Sequence, residues 1–224
     1  MKIAIIGSRG FPSTYGGYET LVRYLARSLV AAGHETTVYC RKREDGRVWE
    51  FEGVRCVWTP GIDTKSLSTL TYGLTSAIDA SVRGYDSALV LNIANGFWLP
   101  LLSRRAPTAV NTDGVEWERG KWGRFARRVF KLGASMTARS ATELIADSQA
   151  IARIWEDEFE RTSCFIPYGA PVLSDVPTDD TTNDIWALGI SAYSLTALCN
   201  ALKEMLSDDA SVVTISISTT TMAS

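Results

Sequence analysis

The sequence lacks a long apolar run, a close pair of cysteines and a group of histidines. No run reaches the length needed to cross a bilayer, and the apolar run in the opening MKIAIIGSRG is too short for a signal peptide, so we expect a cytoplasmic protein. The cysteines are far apart, which indicates buried thiols rather than a zinc site or a disulfide scaffold: Cys40, Cys56, Cys164 and Cys199.

The single histidine, His34, lies in AAGHE after a predicted helix end, and we interpret it as a polar turn residue rather than a catalyst. What is present is typical of a globular protein, with 46% apolar and 10% aromatic residues. A chain of 224 residues can bury a sizeable core. The composition alone therefore indicates a folded domain without naming its chemistry.

The charge is unevenly divided along the chain. Residues 1–173 hold 22 basic and 18 acidic residues, whereas residues 174–224 hold seven acidic residues and only one lysine. Residues 169–184 are rich in proline, aspartate and threonine, as surface linkers are. We therefore predict a main domain at 1–173, a linker at 174–184 and an atypical helix and strand tail at 185–224.

Strand and helix patterns alternate along the main domain. Helical spacing follows residue 20, covers 65–82 and continues in a basic aromatic segment and around Trp155, and short apolar runs predict strands at 3–6, 35–40, 54–59 and 87–92 and within 107–114, 142–148 and 163–169. This alternation predicts an α/β fold with a doubly wound parallel sheet. Ligands bind beyond the carboxyl ends of such strands, where the loop 7–18 lies.

That loop, in IIGSRGFPSTYGGYET, places Gly16 and Gly17 directly before the first helix. Glycines there can turn backbone amides toward an anion at the positive end of the helix, and a diphosphate would suit the place. The spacing matches neither the dinucleotide-binding fingerprint nor a P-loop. The alternative is that a tight connection from strand to helix merely requires glycine.

A second polar cluster follows a predicted strand in NTDGVEWERGKW. A carboxylate there can orient an acceptor hydroxyl or take its proton, and our first choice is Asp113 and our second is Glu116. Arg119 or Lys121 can balance phosphate charge.

The segment from Arg119 to Arg139 has seven basic residues and no acidic one. On a helical wheel the apolar and basic side chains separate, with Trp122, Phe125, Ala126, Val129, Phe130 and Met136 on one face and Lys121, Arg124, Arg127, Arg128 and Lys131 on the other. Two interpretations remain open. The helix lies on an anionic membrane, or its apolar face packs on the sheet. Under the first, the membrane-facing residues are Trp122, Arg124, Phe125 and Arg128. No nucleic-acid-binding pattern is present.

Three segments, 1–41, 110–133 and 144–170, together resemble family 4 glycosyltransferases, in particular the bacterial subgroup with rhamnosyltransferases of cell-surface polysaccharide assembly. The resemblance implies the Rossmann-like N-terminal half of a GT-B fold, in which this half takes the acceptor and a second domain takes the sugar nucleotide. It implies dTDP-rhamnose as the favoured donor, a lipid-linked saccharide as acceptor, and neither a further cofactor nor a required metal. It also implies contact with the inner face of the membrane.

The same resemblance implies roles for single residues. Gly16 and Gly17 would come near the donor phosphates, and Tyr15 and Tyr18 would flank the sugar. Many relatives have a histidine near the position of Asp113, and this sequence has none there. The catalytic assignment to Asp113 and Glu116 therefore follows from their chemistry and not from the resemblance.

The tail departs from the family. Instead of a donor domain, residues 180–218 resemble a helix and strand from enoyl-acyl-carrier reductases, without that family's catalytic tyrosine and lysine. We interpret the tail as packing, with a helix face of Leu195, Leu198, Leu202 and Met205. Two functions follow. One is a glycosyltransferase that is incomplete alone and needs a separate donor domain. The other is a non-catalytic module that binds an acceptor or a membrane.

Overall fold

A computed structural model of the chain describes residues 1–13, 16–44, 46–64, 67–112, 114–115, 117 and 123–167. The predicted linker at 174–184, the tail at 185–224 and the reductase-like segment lie outside these residues.

The described residues form one sheet of eight strands in the order β3-β4-β2-β1-β5-β6-β7-β8. The strands are β1 (Lys2–Ile6), β2 (Glu35–Cys40), β3 (Val48–Phe51), β4 (Val54–Trp58), β5 (Ser87–Leu91), β6 (Thr108–Asn111), β7 (Glu143–Ala146) and β8 (Cys164–Phe165). Every neighbouring pair is parallel except β3 and β4. The predicted doubly wound parallel sheet is confirmed.

Within the described part of the chain, five α-helices connect the strands: α1 (Gly17–Ala31), α2 (Ser68–Arg83), α3 (Leu99–Ser103), α4 (Arg124–Ser140) and α5 (Gln149–Phe159). A 3-10 helix, Ile93–Trp98, precedes α3. The first helix ends just before Gly33, which has a φ of +83°, as the sequence predicts for a helix stop.

Residues of β1 alternate between two cores, one on each face of the sheet. Ile3 and Ile5 join a cluster with α1, whereas Ala4 and Ile6 join a second cluster. The second cluster receives side chains from α2, α4 and α5, namely Ala77, Ala80, Ala134, Ala138 and Trp155. Helices thus cover both faces, and the carboxyl ends of the parallel strands remain at one edge.

Several elements differ from the sequence-based expectation. The antiparallel strand β3 is additional, and it lies at the sheet edge with mostly exposed side chains. A hairpin through Glu52 and Gly53, with φ values of 51° and 75°, joins it to β4. The 3-10 helix and α3 are also additional. The last predicted strand is only two residues long, Cys164–Phe165.

Candidate functional site

The candidate site lies next to β1, the strand from which the chain builds the sheet first to one side and then to the other. From β1 the chain first adds β2 and β4 on one side of the sheet and later β5 and β6 on the other. In doubly wound sheets this reversal opens a crevice at the carboxyl ends of the strands. The loop from Gly7 to Gly16 leaves β1 at that edge and leads into α1.

Two glycines of this loop serve close packing. A Cβ atom on Gly7, whose φ is +104°, would lie 2.2 Å from the carbonyl oxygen of Leu91 in β5. A Cβ atom on Gly10, whose φ is +132°, would lie 3.0 Å from Cβ of Cys40 in β2. Gly7 and Gly10 are therefore explained by the tight connection from strand to helix, the alternative interpretation given in the sequence analysis.

Gly16 and Gly17 have a different setting, because both are exposed at the start of α1. Gly16 caps the helix with φ 100° and ψ 169°, and as a glycine it supplies no side chain to bond the first turn. These φ and ψ values favour glycine over any residue with a side chain. The structure thus presents a bare helix start at the place that the sequence analysis singled out.

Glu19 is a residue of this site that the sequence analysis missed. Its side chain is buried, and Oε1 accepts a 2.9 Å hydrogen bond from the backbone N–H of Arg9. A Cβ atom on Gly16 would lie 2.7 Å from Oε2 of Glu19. Its place three residues after the cap is the capping-box position, a signal that could have identified it. The first turn of α1 therefore already has a carboxylate beside it.

Of the two predicted tyrosines, Tyr18 is half-buried and packs against the core cluster on the α1 side of the sheet. Tyr15 lies outside the described residues. The structure brings Gly16, Gly17 and Tyr18 together as consecutive residues at the helix start.

An open cleft of about 880 Å³ lies beside the glycine loop, at the ends of β1 and β2. The β1 loop, the segment after β2 and the first turn of α2 form its walls. Three cations and two carboxylates line it, together with polar and aromatic groups: Arg9, Arg41, Lys42, Glu44, Asp63, Ser68, Thr69, Tyr72 and Trp49. The sequence analysis did not identify this cleft, because its walls come from segments that are distant in sequence.

The half-buried Arg41 is the central cation of this cleft. Its guanidinium carbon lies 5.7 Å from the centroid of the Tyr72 ring. Nη1 and Nη2 reach the hydroxyls of Ser68 and Thr69 at 3.5 and 3.4 Å. Burial lowers the pKa of Arg41, and the nearby charge of Arg9 lowers it further, although Glu19 and Asp63 act in the opposite direction.

The second predicted cluster begins at the end of β6. The backbone N–H and the hydroxyl of Thr112 both donate to the carbonyl oxygen of Ile145, at 2.9 and 3.0 Å. The residues that we proposed for chemistry lie outside the described residues, namely Asp113, Glu116, Arg119 and Lys121, and so does the predicted membrane-facing residue Trp122. Since β6 is two strands away from β1, the end of β6 is roughly 10 Å from the glycine loop.

Trp117, after β6, packs against α5. Its indole is buried, packs edge-on against Trp155 and Phe159 of α5, and donates to Oε1 of Glu158 at 3.4 Å. Thr112, which bonds to Ile145 at the end of β6, lies at the same edge of the sheet as the glycine loop.

Helix α4 has two apolar sides rather than the single one predicted. Ala134 and Ala138 are buried and Phe130 packs against the core, whereas Phe125 is 81% exposed and Leu132 is 57% exposed. Placing Phe125 and Phe130 on one face was wrong, because five residues turn a helix through 500° and separate the two by about 140°. Arg124 and Arg128 are exposed next to Phe125.

The described residues contain neither a bilayer-crossing helix nor a cluster of metal ligands. None of their helices combines the length and the apolar character that a bilayer crossing requires. No group of three or more histidine, cysteine, aspartate or glutamate side chains among them is arranged to hold a metal ion.

Comparisons with known proteins agree with this architecture. The family model described as Glycosyl transferase 4-like domain matches residues 16–169. The chain is similar to the solved structure of sucrose-phosphate synthase from Thermosynechococcus elongatus, with a TM-score of 0.61, 17% identity, and coverage of 75% of this chain and 48% of that one. A second structure of that synthase from the same organism gives a TM-score of 0.55 and 13% identity over 92% of this chain and 100% of that one.

The chain thus spans about half the length of the first synthase structure. At such low identities the likeness shows the fold, and it confirms the predicted Rossmann-like half of a GT-B architecture. No curated protein is similar enough in sequence to count as a match.

Proposed function

Because this chain belongs to the glycosyl transferase 4-like domain family, we propose that it is the acceptor side of an enzyme that transfers a hexose from a sugar nucleotide to a lipid-linked saccharide. We favour rhamnose as the transferred sugar and dTDP-rhamnose as its donor. The process that we propose is the assembly of bacterial cell-surface polysaccharide. The observation that carries the proposal is the open cleft at the carboxyl ends of β1 and β2, in a chain whose residues 16–169 match the family.

In the proposed reaction, a bond forms between an acceptor hydroxyl oxygen and the anomeric carbon while the bond from that carbon to the diphosphate oxygen breaks. Asp113 orients the hydroxyl or accepts its proton, and Glu116 is the second choice for this role. Arg119 and Lys121 balance the charge of the leaving diphosphate. Tyr15 and Tyr18 flank the sugar. Holding the two reactants in line supplies much of the rate.

The diphosphate in this proposal approaches the first turn of α1. Its exposed start at Gly16 and Gly17 supports the assignment, since the orphan amides of a helix N-terminus attract anions. Glu19 limits it, because its carboxylate lies beside Gly16 and repels a second negative charge on that side. The diphosphate therefore approaches from the solvent side of the two glycines.

A lipid-linked acceptor requires the enzyme to meet the membrane. We propose that the start of α4 makes this contact on the inner face of the membrane, with Phe125 and Leu132 inserted and Arg124 and Arg128 near anionic headgroups. The exposure of these side chains supports the proposal. Trp122, which lies outside the described residues, belongs to the same predicted surface.

Transfer is tested by mixing the full chain with radiolabelled dTDP-rhamnose and a lipid-linked saccharide, with and without a separately expressed donor domain. We expect product when both proteins are present and a loss of about 100-fold or more in kcat for Asp113→Asn. The matched control is Asp157→Asn, on the exposed side of α5, which should not change kcat.

Acceptor binding without product in either mixture would support the second candidate function, a non-catalytic module that binds the acceptor or the membrane. Product in the presence of Asp113→Asn at the unchanged rate would remove Asp113 from the mechanism and leave Glu116 as the base. A failure to bind sugar nucleotide and acceptor in both mixtures would contradict the transferase proposal itself.

A further inference from the structure

We propose that the cleft beside β2 binds a phosphate group on the acceptor, with Arg41 as the main partner and Arg9 and Lys42 as flanking cations. The inference rests on the proposed function, since it assumes that this side of the enzyme takes the acceptor. The phosphate belongs either to a soluble phosphorylated saccharide or to a lipid-linked one, and both present the same anionic oxygens.

The first observation is that Arg41 is poorly compensated. Its Nε atom is buried and meets no acceptor among the residues that the structure describes. Its other polar contacts, to Ser68 and Thr69, are long for hydrogen bonds at 3.5 and 3.4 Å. The ion pairs found among the described residues do not include Arg41. Partial burial of a guanidinium that has no carboxylate partner costs free energy. An anion that binds to it reduces this cost.

Other arginines of the molecule show what full compensation looks like. Arg83 forms a two-pronged contact with the carboxylate of Asp79. Arg161 donates to the carbonyl oxygens of Ala138, Ala141 and Thr142 at 2.6, 3.1 and 3.5 Å. Against these, Arg41 meets only two hydroxyls and a ring face among the described residues. Its planar fork therefore has capacity for phosphate oxygens.

The second observation is the charge around Arg41. The cleft lining has Arg9 and Lys42 as further cations, and its carboxylates are those of Glu44 and Asp63. The lining alone is net positive by one charge, but the buried Glu19 also acts on Arg41. With Glu19 included, three cations face three carboxylates, so the incomplete pairing of Arg41, and not a net charge, attracts the anion. The cleft also takes in the start of α2, a helix of 16 residues, whose partial positive charge favours an anion near Ser68 and Thr69.

The third observation is position. The cleft lies over β2, three strands away from β6, so Arg41 is on the order of 15 Å from the end of the strand that precedes Asp113. A phosphate at Arg41 is therefore remote from the reacting hydroxyl. It contributes binding and orientation, so its loss should raise KM for a phosphorylated acceptor more than it lowers kcat.

Calorimetric titration of the full chain tests the inference. Glucose 6-phosphate is the soluble probe and unphosphorylated glucose its control, while phosphatidylcholine vesicles with and without polyprenyl phosphate form the lipid arm. We expect a phosphorylated probe to bind and Arg41→Ala to weaken it by about 10- to 100-fold, as expected for loss of a hydrogen bond to a charged group. Preference for the soluble or the vesicle probe identifies the source of the phosphate.

The matched control is Arg43→Ala, which removes the same charge two residues later, where the guanidinium lies over Trp58 outside the cleft. We expect it to bind the probe as the original chain does. Lys42→Ala, at an exposed position, keeps the test valid should Arg41→Ala unfold, and a weakening of about threefold or more is expected. Equal weakening by Arg43→Ala and Lys42→Ala would overturn the inference, as would no binding of either phosphorylated probe.

These outcomes are separate from those of the transferase assay. Phosphate binding that depends on Arg41, without sugar transfer, would contradict the proposed function and leave the anion site in place. Transfer to a phosphorylated acceptor at the same KM in the Arg41→Ala variant would contradict the anion site and leave the transferase proposal standing.

Discussion

At the residue scale, the buried Asp79 and the half-buried Arg41 differ in how completely their charges are paired. Asp79 is buried in α2, where Tyr39, Arg47 and Arg83 all contact its carboxylate. Arg41 at the cleft has no such partner among the described residues. Full compensation of a buried charge indicates stability, whereas incomplete compensation in an open cleft indicates a ligand.

We predict that Asp79→Asn lowers the free energy of unfolding by about 2 kcal/mol at pH 7, because two arginines lose their carboxylate. Burial alone would raise the pKa of Asp79, but hydrogen bonds from Arg83 and Tyr39 and the charge of Arg47 outweigh it and lower the pKa. A lowered pKa stabilises the fold above the unfolded value of about 4, and this contribution is lost as the pH falls through the folded value.

Urea denaturation from pH 7 down to pH 3 measures this effect, and the difference between the original chain and Asp79→Asn should shrink toward the acid end. Asp157→Asn, at an exposed position in α5, should stay within about 0.5 kcal/mol throughout. If the difference in unfolding free energy between the original chain and Asp79→Asn stayed constant with pH, the loss would come from packing and not from charge.

At the scale of elements, the inner parallel strands were predictable because they are short, largely buried runs in the interior of the sheet. β2 matches its predicted range, Glu35–Cys40, to the residue. β3 was missed because it has only four residues, lies at the sheet edge with largely exposed side chains, and is held by an antiparallel pairing with β4 that its own sequence does not show. The helices after β5 were also missed, because Asn92 begins them with a φ of +74° and a side-chain cap to Ala94.

Some features of the candidate site were likewise predictable from the sequence, and others were not. The helix start at Gly16 was predictable, because the glycine pair and the helical spacing adjoin in sequence. The bond from the Arg9 amide to Glu19 and the cleft around Arg41 were not, because they bring together residues from different segments. Such contacts depend on the sheet order, which no local pattern contains.

Helix α4 carries a prediction at this scale. Replacing the 81% exposed Phe125 by Ser should reduce partition of the protein onto phosphatidylglycerol-containing vesicles by about 10-fold or more, because one inserted aromatic side chain is lost. Cosedimentation with vesicles measures it. The control is Val82→Ser, an 80% exposed apolar residue on α2, which should not change partition.

Equal binding by the Phe125→Ser variant and the original chain would remove the membrane role from this helix. Equal losses for Phe125→Ser and Val82→Ser would show that general surface hydrophobicity, and not the start of α4, brings the protein to lipid. Neither outcome would affect the transferase proposal for a soluble acceptor.

At the scale of the whole molecule, β8 is the last strand of the sheet within the described residues, and it has two residues, of which Phe165 is 43% exposed. We predict that the tail at 185–224, which lies outside the described residues, covers this end with its apolar helix face and its β-branched strand. A chain ending at residue 174 should then melt at least about 4 °C lower than the full chain, since loss of roughly 2 kcal/mol of apolar burial has that effect at this size.

Truncation also changes length and charge, and a variant of full length separates these effects from packing. Leu198→Ser with Leu202→Ser keeps both and removes the centre of the apolar face, so it should melt with the truncated chain. Asn200→Ser, on the other side of the predicted helix, should melt with the original. Identical melting temperatures for the full and truncated chains would mean that the tail does not pack on the sheet, and the acidic charge of 174–224 would then be its distinguishing property.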